Sequence, residues 1–396
     1  MTADPVTPSL DLDDLRAKVQ QLLPQYLADL EALVDLECGT FLPEGVNRVA
    51  DLMRDRFDAA GWSVERREHV AGPGEAQLGD VLVARLAGSG ARRVLLVGHM
   101  DTVFPDGTAA ERPFRTEGDR AFGPGVSDMK GGLLAGFYAI KALQESDFGD
   151  FASITYVCNP DEEIGSPFSG AVIRECASRS DVCFVLEGAR ENGDIVSARK
   201  GVIDVRMTIR GRAAHAGVEP ERGRSAILQA AHTVIALHEL NGRWRDVTVN
   251  VGRIDGGIRP NVVAERCDLR IDLRIPTERS KDELFDAIDA FAASPLVPDT
   301  TIEVKHEVSF PAMEKTDATG RLVDKAKTIA SRLGFEVNDA ATGGGSDANP
   351  VAAMGIPVLD GLGPIGGADH APGEWLDVSS VVPRTTLLAA LIAASP

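Results

Sequence analysis

Residues Val94-Leu-Leu-Val97 form an unbroken apolar run that stops at Gly98 and passes straight into His99-Met-Asp101. A short run of branched aliphatic residues predicts a strand covered on both faces, as in a parallel sheet enclosed by helices. In open sheets of that kind, ligands sit beyond the carboxyl ends of the strands. His99 and Asp101 stand at such an end. They suit a metal ligand and the partner that orients it. A turn histidine beside a capping aspartate fits the pair equally well.

The same pattern recurs along the chain. The apolar stretch Ala152–Cys158 runs into Asn159-Pro-Asp-Glu-Glu-Ile-Gly165, where three carboxylates stand together. Crowding like charges costs energy unless a cation or a function offsets it. The stretch Val182–Leu186 ends in Glu187-Gly188. Gly123-Pro-Gly-Val-Ser-Asp-Met-Lys-Gly-Gly132 is too rich in glycine for a regular element, and it opens a helix expected over Leu133–Gln144. It matches no phosphate-loop spacing, so Asp128 is read through its carboxylate. Near the C-terminus, Gly366-Gly-Ala-Asp-His370 follows a buried stretch at Ile356–Leu359. The groups at expected strand ends are thus His99, Asp101, Asp128, Glu162, Glu163, Glu187 and His370. Two histidines and three carboxylates can hold two zinc-type ions if one carboxylate bridges, leaving another as a base.

With 396 residues, the chain exceeds what one hydrophobic core usually supports, so two domains are expected. Helical spacing appears at Leu12–Leu36, Val46–Gly61, Thr319–Leu333 and Ser379–Ala394, the last with Ser379 as N-cap. Strands are expected at Trp62–Glu68, Asp80–Leu86 and Phe335–Asn338, and a hairpin at Phe114–Phe122. The middle differs in style. Cys267–Ile275 alternates strictly, as in a sheet with one wet face. The order strand Val202–Ile209, helix Ser225–Leu240, strands Val247–Ile254 and Cys267–Ile275, helix Lys281–Ala293 and strand Thr301–His306 is βαββαβ, a split-βαβ sandwich. A ferredoxin-like α+β domain over residues 199–311 is therefore expected. It is inserted into an α/β domain, 1–198 and 312–396, with a mixed, mostly parallel sheet between helices.

The formal net charge is -19, with 41 basic against 60 acidic residues and no basic block. That argues against nucleic acid and anionic membrane as partners. No apolar run reaches membrane-spanning length. Met1–Leu15 shows no basic n-region or apolar h-region, so no secretory signal is read. The five cysteines show no paired spacing and read as buried free thiols, as expected in the cytoplasm.

In order along the chain, Gly98-His-Met-Asp-Thr-Val103, Gly123–Gly132, Asp161-Glu-Glu-Ile-Gly165, Glu187 and His370 resemble the motif series of the M20 family of metallopeptidases, carboxypeptidase G2-type glutamate carboxypeptidases above all. The resemblance implies a catalytic domain of zinc-peptidase type holding two Zn2+, with Co2+ or Mn2+ as substitutes. It implies that Asp128 bridges the metals, His99 and Glu187 complete one site, and Glu163 and His370 the other. It gives Asp101 the task of orienting His99 and Glu162 that of general base, and it implies a cis peptide between Asp128 and Met129. The inserted domain is then a dimerisation domain, and the protein a homodimer. His215, in Gly211-Arg-Ala-Ala-His215, would reach the partner's active site to hold the substrate carbonyl oxygen. Asn261 and Arg274 match substrate-binding positions, and Gly344 a loop whose backbone lines the substrate pocket. The remaining histidines, His69, His232, His238 and His306, match no motif and read as packing.

The implied reaction is removal of a C-terminal amino acid, glutamate being one candidate, from a peptide or N-acyl amino acid. N-acyl-amino-acid deacylation is the alternative, and an inactive family member that binds rather than hydrolyses is a third reading. Phe310 stands where such carboxypeptidases tend to carry an arginine, which weakens the case for glutamate. Ala264 replaces a frequent proline.

Overall fold

A computed structural model describes residues 10–395, so most of the stretch read for a leader lies outside the described residues. The chain divides into two compact units. The first takes the chain up to Ser197, Lys315–Ala341, and everything from Ser346 onward. The second is Ala198–Glu314 with the short loop Thr342–Gly345. The glycine loop, expected in the first domain, belongs to the second unit.

The first unit is built on a six-stranded sheet. Its order is Ser63–Arg67, Val81–Ala87, Ser153–Asn159, Arg93–His99, Val182–Val185 and Val358–Leu359. The first two pairings are antiparallel and the last three parallel. In the central strand every residue from Val94 to His99 is buried. Register then places the site. His99 lies opposite Asn159 and Val97 opposite Val185, so three neighbouring strands end side by side. Helices Leu12–Val34, Gly131–Glu145 and Val378–Ala394 share one core with this sheet. Helix Gly131–Glu145 starts against the strand ends because Gly132 has no side chain. A Cβ there would stand 1.7 Å from the Leu186 carbonyl oxygen.

The second unit is a four-stranded antiparallel sheet ordered Thr248–Gly256, Arg266–Ile275, Gly201–Arg210, Thr301–Phe310. Helices Ala226–His238 and Glu278–Ala292 complete the βαββαβ order. Cys267, Leu269, Ile271, Leu273 and Ile275 all enter its core, and the alternate arginines and aspartates face out, as alternation requires.

Two local readings need correction. Phe335–Asn338 is not a strand. Gly334 leaves the preceding helix with φ +85°, and the chain carries Phe335 and Val337 into the core as a linker. Pairing begins only at Asp339, where the strand Asp339–Thr342 meets Ile195–Arg199, a strand not read from the sequence. The last helix is capped not by Ser379 but by Asp377, whose carboxylate accepts from the Ser379 amide.

Candidate metal centre

The donors at the expected strand ends of the first unit gather around His99 and Asp128. His99 closes the central strand, with Nδ1 2.9 Å from the Asp101 carbonyl oxygen and Nε2 2.9 Å from Asp128 Oδ1. His370 Nε2 lies 3.0 Å from the other oxygen, Asp128 Oδ2, and 3.2 Å from Glu163 Oε2. Glu187 Oε1 is 3.8 Å from His99 Nε2. Donor atoms of His99, Asp128 and Glu163 lie within 4.8 Å of one another, as do those of His99, Glu162 and Glu187. The peptide between Asp128 and Met129 is cis, as the resemblance implies.

Asp101 faces His99 through two groups. The shorter contact to His99 comes from its backbone carbonyl, while its carboxylate oxygen stands 3.4 Å away. That buried carboxylate accepts from the Thr40 hydroxyl at 2.6 Å and from the Glu162 amide at 3.2 Å. One side chain therefore ties the His99 strand to the acidic turn after the neighbouring strand.

The charges oppose one another. Burial raises the Glu162 carboxyl well above its usual range, and Glu187 adds to the effect. Burial also raises Glu163, against the hydrogen bond from His370. Burial pushes Asp128 up too, but hydrogen bonds from His370 and His99 outweigh it and hold its carboxyl low. His370 rises to about 10 because Asp128 and Glu163 both bond it. It also has φ +61°, a left-handed backbone rare outside glycine and found most often at functional sites.

This arrangement fits divalent cations. The Nδ1–H of His99 is turned to a carbonyl, which leaves Nε2 as the donor facing Asp128. Glu163 Oε1 is buried without a hydrogen-bond partner, a lone pair that a cation would satisfy. The donor set is imidazole and carboxylate with no thiolate, as zinc, cobalt and manganese accept.

Three neighbours escaped the sequence reading. Thr40 is one. Asp347 is buried, bonded by Asn159 Nδ2 at 2.7 Å and by the Ser166 hydroxyl, and burial lifts it to about 6. Glu374 accepts from the amides of Gly125, Ser127 and Asp128 at 2.9–3.0 Å. Burial raises it to about 7 in spite of those bonds. Only its place four residues after His370 hints at it in the sequence.

The other candidates lie in the second unit and form two groups there. His215 is exposed and accepts from the Gly217 amide at 3.2 Å. Its segment pairs with that of Asn261, whose carbonyl accepts from Ala216 at 3.0 Å. Arg274 grips Asp272 through two bonds of 2.9 Å and reaches the Gly343 carbonyl at 3.4 Å. Arg199 holds the next carbonyl, that of Gly344, at 3.2 Å. Phe310 seals the loop. A Cβ on Gly345 would stand 2.6 Å from its ring, so the position where an arginine was expected is occupied by packing.

A mixed sheet carrying imidazoles and carboxylates at adjoining strand ends, with a split-βαβ unit in mid-chain, defines a metallopeptidase class. Residues 95–394 match peptidase family M20/M25/M40, and the chain belongs to that family. It is 31% identical over 375 residues to carboxypeptidase G2 of Pseudomonas sp. (strain RS-16), covering 93% of this chain and 89% of that protein. It is 27% identical over 388 residues to acetylornithine deacetylase of Myxococcus xanthus, covering 94% and 97%. Among solved structures, aminopeptidase PepT from Bacillus cereus shares the fold with TM-score 0.79 at 24% identity, over 94% of this chain and 98% of that one. The chain is an enzyme of amide-bond hydrolysis. Among the described residues no helix is long and apolar enough to cross a membrane.

Proposed function

We propose that the protein is a dizinc amidohydrolase that releases a C-terminal amino acid from a peptide or an N-acyl amino acid. One observation carries this reading. The two oxygens of Asp128 are each bonded by a different imidazole, His99 at 2.9 Å and His370 at 3.0 Å, as a carboxylate shared between two ions requires. His99 and Glu187 would complete one site, and Glu163 and His370 the other. Two zinc ions so held would polarise a substrate carbonyl and make a water acidic enough to attack at neutral pH. Cobalt or manganese could substitute.

Glu162 supplies the proton chemistry. It neighbours Glu163 on the same turn, and burial raises its carboxyl well above the usual carboxylate range, the direction a general base needs. Geometry places it in donor range of His99 and Glu187, so the resemblance, not distance, makes it the base. It takes the proton of the attacking water and delivers it to the leaving amine nitrogen.

The second unit would pair with its copy in a two-fold homodimer. Its strand Thr248–Gly256 is a sheet edge, and Leu228 and Ile235 on the helix that packs beside that strand are 51% and 59% exposed. An open edge next to an exposed apolar stripe is commonly covered. His215 would then serve the partner's site, and Asn261, Arg274 and the Gly344 loop would hold substrate. All five cysteines are free and buried, which supports a cytoplasmic location.

N-acyl-amino-acid deacylation is favoured by one observation: Phe310 packs on Gly345 where a cation for a substrate side-chain carboxylate would stand. The deciding test is a panel of dipeptides, N-acyl amino acids and N-aroyl glutamates offered to zinc-loaded protein. Hydrolysis should vanish with a chelator and return with zinc. Hydrolysis indifferent to chelation overturns the metal reading. Preference for N-acetyl over N-aroyl or peptidyl substrates overturns the carboxypeptidase reading in favour of the deacylase.

A further inference from the structure

We infer that Glu374 is the positioning residue for Asp128, acting through the main chain and not as a ligand; this rests on the metal reading above. The loop that carries Asp128 is neither helix nor strand at that point. Gly125 has φ +74°, and Asp128 and Met129 have non-helical φ and ψ. Amides in such a segment find no partner in a ladder, yet buried amides must be bonded. Here three of them, on Gly125, Ser127 and Asp128 itself, donate to one carboxylate. Glu374 Oε2 takes the first at 2.9 Å, and Oε1 takes the other two at 2.9 and 3.0 Å.

Glu374 is 2% exposed. A buried carboxylate is costly unless hydrogen bonds replace its water, and these bonds all go to one loop. The same turn also carries His370. It closes through Ala371 N to the Ala368 carbonyl at 3.0 Å and Glu374 N to the Ala371 carbonyl at 3.1 Å. Its far end is anchored by the strand Trp375–Asp377, paired with Arg120–Phe122. One turn thus grips Asp128 twice: His370 holds the carboxylate and Glu374 holds the backbone behind it. The direction in which Asp128 presents its two oxygens follows from that double hold. A glutamine could accept from the Ser127 and Asp128 amides, but its NH2 would then face the Gly125 N–H, donor against donor.

The test compares wild type, Glu374→Gln and Glu374→Asp. Zinc affinity is measured by competition with a chromophoric chelator, kcat and KM at saturating zinc, and melting of the chelated chain. The expected result for Glu374→Gln is a roughly 10–100-fold loss of zinc affinity, the usual effect of losing a residue that orients metal ligands. KM should change little, and the chelated chain should melt near wild type. Glu374→Asp keeps the charge but cannot span all three amides, and should fall between. Wild-type zinc affinity in Glu374→Gln, with a lower melting temperature for the chelated chain, would mean a purely structural role and overturn the proposal. If Glu374→Gln does not fold, wild-type zinc affinity in Glu374→Asp overturns it. A wild-type chain that takes up no zinc overturns the metal reading together with this one. Failure of the variants alone overturns only this one.

Discussion

Asp128→Asn separates a shared ligand from a coincidence of neighbours. The substitution keeps shape and removes the one charge that both imidazoles face. A ligand that binds only the folded state stabilises it by about 2.7 kcal/mol at a hundredfold excess over Kd, so two ions give about 5.4 kcal/mol. All the donors lie in the first unit, of roughly 275 residues. At about 2.1 cal/mol/K per residue, its melting entropy is roughly 0.6 kcal/mol/K, and zinc should raise its Tm by about 9 °C. The assay is calorimetry of each protein with zinc and with chelator. Taking the difference within each protein cancels the cost of losing two hydrogen bonds in the metal-free state. Wild type should show the full rise and Asp128→Asn less than about 2 °C, because neither site keeps its full ligand set. Any transition of the second unit should not respond, since it holds no candidate metal cluster among the described residues. A variant that keeps half the rise has one ion independent of Asp128. A variant that keeps all of it refutes the shared ligand.

Glu162→Gln should retain the zinc-dependent rise in Tm yet lose roughly 10²–10⁴ in turnover, as a general base does; activity within a few-fold of wild type removes it from that role. His215→Ala and Glu162→Ala dimers, each inactive, should regain activity when mixed under conditions that exchange subunits. Random pairing makes about a quarter of all sites complete if His215 acts across the two-fold, and a protein that sediments as a monomer dismisses the idea at once. Asp339 tests electrostatics away from the site. Burial raises its carboxyl, but hydrogen bonds from Lys315 and Ser197 outweigh it and bring it from 3.8 to about 2. Because the folded value is the lower one, its contribution is present above about pH 4 and lost as pH falls toward 2. Asp339→Asn should therefore cost roughly 1–2 kcal/mol in urea melts at pH 6, after solvent screening, and less than about 0.5 kcal/mol at pH 2; an equal cost at both pH values would contradict this.

The donor set was legible in the sequence because parallel strands bring their ends to one edge. Once Val94–Val97, Ala152–Cys158 and Val182–Leu186 are recognised as strands, whatever follows each must meet there, and His99, Glu162, Glu163 and Glu187 follow at once. Helix Gly131–Glu145 and the βαββαβ order were equally readable, since apolar periodicity is a local property. Tertiary structure decided what depends on partners distant in the chain. Glu374 looks like any acid in a turn until the backbone amides of residues 125–128, some 250 positions earlier, arrive beneath it. Asp347 needs Asn159 and Ser166 beside it before its burial has meaning. The strand after Gly334 begins at Asp339 and not at Phe335, because a strand starts where a partner waits and not where apolar residues begin. Side-chain periodicity is written residue by residue. Backbone hydrogen bonds across the fold are not, because every residue but proline offers the same N–H and C=O.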